Sequence, residues 1–170
     1  MKDFLTLAEK RYSVRSFRPT PVEEEKIAAI LEAARLAPTA KNFQPQKIYV
    51  LKSEETYKAV SALTACIYGA PLIFVIAYDD ERSAKGMIYD DYDFGTMDAS
   101  IVCTHMMLET ADLGLGSCWV GRFEEAAVKA ALGLGEHIHV RALLPVGYPA
   151  EDGVPSPRHT QYREDTVEFL

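Results

Sequence analysis

The segment PLIFVIAY, residues 71–78, constrains the fold more than any other part of the chain, because apolar side chains fill it without a polar interruption. Successive side chains of a strand point to opposite faces, so a continuous apolar run predicts a central strand that is buried on both sides. Such a strand belongs inside a layered domain of helices and strands. The run is also far too short to span a bilayer.

The clearest signal for the start of a helix is at residues 20–23. Thr20 can serve as the N-cap, Pro21 suits the first helical position, and Glu23 completes a capping box. Apolar residues then recur at helical spacing. The pattern predicts a helix over 21–36 with one buried face, formed by Ile27, Ile30, Leu31 and Ala34.

Helices and strands alternate along the rest of the chain. A second capped helix is predicted from Ser53 to about Ile67, and a long helix at 94–113 is apolar nearly all round from Ala99, which marks it as the central one. The remaining predicted elements are a helix at 2–10, a strand at 47–52, a short strand in SCWVG, a helix at 124–132 and a strand at 139–148. This order predicts an α+β (α/β layered) fold with four or five strands.

Length and charge bound the function. A chain of 170 residues is expected to form one domain, 1–170, with a substantial core. Its net charge of -7 argues against nucleic acid or an anionic membrane as the main partner. The N-terminus has no signal-peptide pattern. Three cysteines, Cys66, Cys103 and Cys118, lie in apolar surroundings without a CxxC pair, so we expect small buried side chains in a reducing cytoplasm.

The stretch KRYSVRSF places polar groups at every second position. In an extended segment Arg11, Ser13 and Arg15 point the same way, with Val14 facing the other side. Two guanidinium groups and a hydroxyl at one spot suit a phosphate, because arginine offers paired donors that match its oxygens. The alternative that this stretch leaves open is that the arginines simply face water.

Other motifs give no site. The pairs of glycines in GLGSCWVG and LGLGEH follow helices, whereas a dinucleotide fingerprint needs a strand before its glycines. The pair His137 and His139 lacks a supporting ligand cluster, and the acidic run Asp90, Asp91 and Asp93 lacks the pattern of a calcium loop, so we expect solvated positions and no metal. No nucleophile with a partner base is visible. The sequence therefore favours chemistry carried by a cofactor, with no catalytic side chain of its own.

Several segments together resemble the nitroreductase family of FMN-dependent oxidoreductases. They run in the family's order from about Leu7 to Val167: RYSVRSF, APTAKNFQPQKIYVL, ADLGLGSCWVGRF, LLPVGYPAED and PRHTQYRED. The resemblance implies a central, mostly antiparallel sheet flanked by helices, a long central helix and an extended C-terminal tail. The tail comprises residues 149–170. The resemblance implies that it wraps the partner subunit of a homodimer.

The resemblance also implies flavin contacts. The stretch from Arg11 through Tyr12 and Ser13 to Arg15 embraces the cofactor in such proteins, with Arg11 and Ser13 at the phosphate and Arg15 at the pyrimidine edge. The other subunit of the dimer would supply a loop containing Pro38, Thr39 and Asn42.

Two further segments complete the expected site. The strand and turn containing Trp119, Val120 and Gly121 would approach the ring near N5 and O4. Arg158 matches a late basic residue at the phosphate, with Arg163 as a rival. The family's asparagine near the ring edge has no clear counterpart, and Thr64 or a neighbour is expected to stand there.

The implied activity is the transfer of two electrons from NADH or NADPH through FMN to a nitroaromatic, quinone or similar acceptor, by a ping-pong mechanism in the cytoplasm. Two alternatives stay open at this point. One is a different reaction on the same fold, such as flavin reduction or reductive dehalogenation. The other is a low-turnover flavin-binding protein that stores the cofactor or senses redox state.

Overall fold

A computed structural model describes residues 4–86, 92–151 and 168–170. Its helices are α1 (Phe4–Lys10), α2 (Glu24–Leu36), α3 (Glu54–Ser61), α4 (Gly95–Asp112) and α5 (Glu125–Leu132). Its strands are β1 (Gln46–Leu51), β2 (Leu72–Asp79), β3 (Gly116–Ser117) and β4 (Ile138–Gly147), and two short 3-10 helices cover Ala40–Asn42 and Ala65–Ile67. None of the helices in these ranges is long and apolar enough to cross a membrane.

Strand β2 lies at the centre of the sheet, as its apolar run predicts. All eight of its residues are buried. It pairs antiparallel with β1 on one side and with β4 on the other, and the strand order is β1-β2-β4-β3. The short strand β3 pairs antiparallel with β4 at the far edge. The predicted antiparallel α+β fold is confirmed.

The two faces of β2 contribute to two separate cores, because its side chains alternate. Phe74 and Ile76 pack with residues of α2 and α4 in one core. Ile73 and Val75 pack with Val14, from the arginine stretch, and with residues of α3 and α5 in the other. Helix α4 buries one side in the first core but leaves Met97 and Ile101 exposed, so it is less enclosed within one chain than its composition predicts.

The predicted start of α2 is wrong by three residues. The helix begins at Glu24, and Glu23 occupies the N-cap position without a side-chain capping bond. The carboxylate of Glu23 instead accepts hydrogen bonds from the hydroxyl of Tyr148, at 2.7 and 2.8 Å. A contact with a residue far along the chain has therefore replaced the local capping box that begins with Thr20.

The capping prediction for α3 is confirmed at its start. The Ser53 hydroxyl accepts a hydrogen bond from the Thr56 N–H. The helix ends at Ser61, earlier than predicted, and a short 3-10 helix capped by Thr64 follows it. Tyr68 then adopts a left-handed conformation with φ of 56°. This turn closely follows residues 63–66, which line an open cleft.

Candidate functional site

The arginine stretch lies along the edge of the sheet beside β3. The Val14 N–H donates to the carbonyl oxygen of Ser117 at 3.0 Å, and Ser13 forms a parallel bridge with the same residue. Val14 is 1% exposed and anchors the segment in the core. Gly116 permits this close approach, because a Cβ there would lie 2.4 Å from the Val14 side chain. The segment is thus held extended, with its polar side chains on the side away from Val14.

The thiol of Cys118 interacts electrostatically with all three of those polar side chains. Its pKa is raised mainly by burial, and Arg15, a hydrogen bond with Ser13, and Arg11 each lower it in part. All three groups thus act on this one thiol, while Arg11 also lines a second, smaller pocket together with Val14 and Gly116. Burial also lowers the pKa of Arg11, which is half-buried. Arg11 and Arg15 supply charged donors of the kind that bind an anion.

The structure also contains an open cleft of about 600 Å³. One wall comes from the turn after α3, and the other comes from the turn after Val120. The hydroxyl of Thr64 ties the walls together, because it donates to the Arg122 carbonyl oxygen at 2.8 Å and accepts from the Cys66 N–H at 3.2 Å. The lining residues are Leu63, Thr64, Ala65, Cys66, Gly121, Arg122 and Phe123.

Cys66 contributes a thiol to the cleft. Hydrogen bonds with Tyr68 and then with Thr64 lower its pKa, and the positive charges of Arg122 and Arg15 act in the same direction. The same contact with Cys66 raises the pKa of the Tyr68 hydroxyl, while a hydrogen bond with Arg15 opposes that rise. Arg15 therefore influences two thiols, that of Cys66 in the cleft and that of Cys118 beside the arginine stretch.

Burial of the cysteines only partly follows the expectation from sequence. Cys103 and Cys118 are buried, as expected, whereas Cys66 is partly exposed. The sequence interpretation also did not identify Tyr68 or Arg122 as neighbours of the site. Tyr68 and Gly69 both have positive φ values, and the Tyr-Gly pair is the sequence signal that could have indicated a turn here. Strained turns are common at functional sites.

The three residues of the WVG stretch have different surroundings. Trp119 is half-buried and packs against the core that contains α2 and α4. Val120 is buried in the other core and pairs with Leu143. Gly121 lines the cleft, and a Cβ built on it would meet no atom within 4 Å. Of these three, Gly121 therefore leaves room for a flat ligand to approach the backbone.

The loop that contains Pro38, Thr39 and Asn42 does not line this cleft in the described part of the same chain. Its backbone is strained, because Lys41, Asn42 and Gln44 have φ values of 52°, 56° and 53°. Pro38 and Asn42 are exposed, and Thr39 is half-buried. The structure therefore leaves this loop open for contact outside its own chain.

Several predicted positions lie outside the described residues. Arg158 and Arg163, the two candidates for the late phosphate contact, belong to the segment 152–167. Asp90 and Asp91 of the acidic run belong to the segment 87–91.

The two histidines of β4 and the turn before it separate in the structure. His139 contacts Asp80, with Nε2 and Oδ2 at 2.9 Å, and stacks on Tyr78. His137 instead lies near Asp79 and Glu81, whose potential ligand atoms are all within 4.8 Å of one another and of the imidazole. The sequence interpretation missed this grouping, because the carboxylates belong to the end of β2 and the turn after it. The Asp79 carboxylate already accepts the Glu81 N–H at 3.1 Å.

Comparison with known proteins gives consistent results. A family model described as the nitroreductase family matches residues 8–67 and 62–148. An NADH dehydrogenase of Thermus thermophilus is 32% identical over an alignment of 187 positions, which spans 92% of this chain and 91% of that protein.

Solved structures share the fold over nearly the whole chain. A nitroreductase family protein from Clostridium difficile 630 superposes with a TM-score of 0.91 at 33% identity and covers 98% of each chain. An FMN-dependent nitroreductase from Clostridium difficile R20291 has a TM-score of 0.79 at 26% identity, again over 98% of each chain.

Proposed function

Because the chain belongs to the nitroreductase family, we propose that it transfers two electrons from NADH or NADPH, through bound FMN, to a nitroaromatic, a quinone or a similar acceptor. Its class, an FMN-dependent NAD(P)H oxidoreductase, agrees with the relatives that match it. The observation that carries the proposal is an open cleft lined by Cys66 and Gly121, with Arg15 of the arginine stretch acting on both Cys66 and Cys118.

The residues present fit FMN in two respects. A terminal phosphate carries close to two negative charges, so it forms strong charge-assisted hydrogen bonds. Arg11 and Ser13, which both interact with the Cys118 thiol, would donate them. A flat ring needs a cleft with an unobstructed backbone, which Gly121 supplies. Arg158 or Arg163 would add a further cation at the phosphate.

Bound FMN supplies the two-electron chemistry, and the protein supplies orientation and charge. Arg15 places a positive charge near the Cys66 thiol of the cleft, where it would favour negative charge on the pyrimidine edge of the ring. Since one open cleft serves both donor and acceptor, the two would occupy it in turn. That order of events is a ping-pong mechanism.

The same site would also suit flavin reduction or reductive dehalogenation, and a protein of low turnover would share its cofactor. A single experiment separates an enzyme from a low-turnover flavin-binding protein and tests the proposed acceptors. The purified protein is expected to be yellow, to release FMN on heating as identified by mass, and to bleach rapidly with NADH or NADPH. Reoxidation by a quinone or nitroaromatic supports the proposed acceptors. Release of FAD, or no flavin after reconstitution, contradicts the proposal, and flavin without bleaching favours the low-turnover protein.

We further propose that the active unit is a homodimer. The exposed loop containing Thr39 and Asn42 would meet the flavin site of the partner subunit. Large apolar side chains exposed in the single chain support an interface, among them Phe43 at 49%, Met97 at 49% and Ile101 at 37%. In this arrangement the tail wraps the partner subunit and the whole chain, 1–170, acts as one FMN-binding domain.

The position of Cys66 gives a direct test of where the flavin binds. Its lowered pKa and partial exposure should make it react with iodoacetamide faster than Cys103 and Cys118, whose pKa values burial raises. FMN at about 100 times its dissociation constant should slow labelling of Cys66 by roughly a hundredfold if it covers the thiol. Peptide mass analysis with and without FMN measures this. Unchanged labelling of Cys66 at full FMN occupancy would place the ring elsewhere.

A further inference from the structure

Asp98 is a buried carboxyl group for which the proposed reaction has no direct use. It lies in the first turn of α4 and is 2% exposed. Its Oδ1 accepts a hydrogen bond from the Ala40 N–H at 2.8 Å. Its Oδ2 is also buried and has no hydrogen-bond partner in the described ranges. A buried polar group with one unsatisfied atom lowers the free energy of unfolding. Such a group in a folded protein therefore needs an explanation.

The partner of Asp98 belongs to the strained loop. Two hydrogen bonds that involve side chains are internal to this loop, from the Gln44 N–H to the Thr39 hydroxyl at 3.0 Å and from the Gln44 side-chain amide to Asn42 Oδ1 at 3.0 Å, and at its end the Pro45 carbonyl oxygen accepts from the Asp79 N–H at 2.9 Å. The Asp98 contact instead ties the loop to α4, 58 positions away along the chain. Left-handed conformations at residues other than glycine persist only where surrounding structure holds them.

We propose that Asp98 is a positioning residue for the flavin site, which fixes the loop so that Thr39 and Asn42 face the partner subunit's cofactor. The inference rests on the proposed function, because it needs an FMN site shared between subunits. Asp98 would act through the loop and would touch neither flavin nor substrate. Without its acceptor, the Ala40 N–H would lose its partner, and the loop would leave the conformation that the flavin site requires.

Substitutions of Asp98 are informative when they change its charge or its hydrogen bond but keep its size. Burial raises the pKa of Asp98, the hydrogen bond from Ala40 opposes that rise, and the nearby negative charge of Asp93 adds to it. Asparagine keeps a carbonyl oxygen for the Ala40 N–H, has nearly the same size and carries no charge. Leucine has a similar size and favours a helix, but offers no acceptor. The pair therefore separates the hydrogen bond from packing.

The experiment compares Asp98→Leu, Asp98→Asn and a control, Val128→Ala. Val128 is fully buried in α5, in the core on the opposite face of β2, so its truncation lowers stability without touching the loop. Hydrogen exchange of the peptide covering 37–45 is measured on the full chain without FMN, and FMN affinity is measured by titration. In Asp98→Leu we expect exchange roughly tenfold faster and FMN binding roughly tenfold weaker, the size of one lost hydrogen bond.

Asp98→Asn and Val128→Ala should both resemble the wild type in these two measurements. Equal impairment of the asparagine and leucine variants would overturn the inference, because the acceptor would then not be what matters. Faster exchange in Asp98→Leu with unchanged FMN affinity would also overturn it, since the loop would then be anchored for another reason. A wild-type protein that binds no FMN would instead refute the proposed function itself, so the two failures are distinguishable.

Discussion

Arg11→Ala is expected to weaken FMN binding by roughly 1.5 to 3 kcal/mol, the range for a lost hydrogen bond to a charged group. In the structure Arg11 is half-buried beside Cys118, with Ser13 and Arg15 near the same thiol. The guanidinium would hold the phosphate there with charge-assisted donors. Fluorescence titration with FMN measures the change directly.

Riboflavin provides the comparison that identifies the phosphate contact, because it has the same ring and no phosphate. It should bind wild type and Arg11→Ala about equally. A matched control is Lys58→Ala, which removes the same charge from an exposed position on α3 and should leave FMN binding unchanged. If Arg11→Ala loses affinity for FMN and riboflavin alike, the phosphate assignment is wrong.

Removal of residues 152–170 is expected to abolish stable dimerisation and most FMN binding. The truncated chain loses Arg158 and Arg163 together with the part of the tail proposed to wrap the partner subunit. It keeps the contacts that hold the start of the tail. The Ala150 N–H donates to the Ser16 carbonyl oxygen at 3.0 Å, and Arg18 Nε donates to the Pro149 carbonyl oxygen at 3.0 Å. The fold of the remaining chain should therefore persist.

Sedimentation of the full-length and truncated proteins, with FMN occupancy measured on each, tests this prediction. Circular dichroism of the truncated protein is the control for folding. A full-length monomer that keeps FMN and turns over would refute the shared site. A truncated protein that remains a flavin-bound dimer would show that the tail has neither role. Arg158→Ala and Arg163→Ala in the full chain then identify which arginine contributes at the phosphate.

Local patterns predicted the elements of this fold well where the signal is carried by neighbouring residues. The apolar run of β2 predicted a strand buried on both faces, and Ser53 predicted the start of α3. The capping box at Thr20 failed, because Glu23 hydrogen-bonds to Tyr148, 125 positions along the chain. A cap depends on the few residues around it, and a distant hydroxyl can compete for the same carboxylate.

In the candidate site, too, some features follow from local sequence patterns and others depend on contacts between distant segments. Alternation along an extended segment predicts that Arg11, Ser13 and Arg15 share one side, because the strand period is a property of the backbone itself. Resemblance to a family indicated the segments to examine. Neither could show that the Cys118 thiol interacts with these side chains, since its position depends on the pairing of the arginine stretch with β3.

The sequence by itself determined which segments become strands and helices, and which side chains of one segment point together. Only the tertiary structure decided which distant segments meet. In the tertiary structure Thr64 hydrogen-bonds to Arg122 across the cleft, and Asp98 hydrogen-bonds to Ala40 in the loop. The partners of each pair are 58 positions apart along the chain. The physical reason is that periodicity and capping act over a few residues, whereas contacts between distant segments depend on how the two cores pack against the sheet.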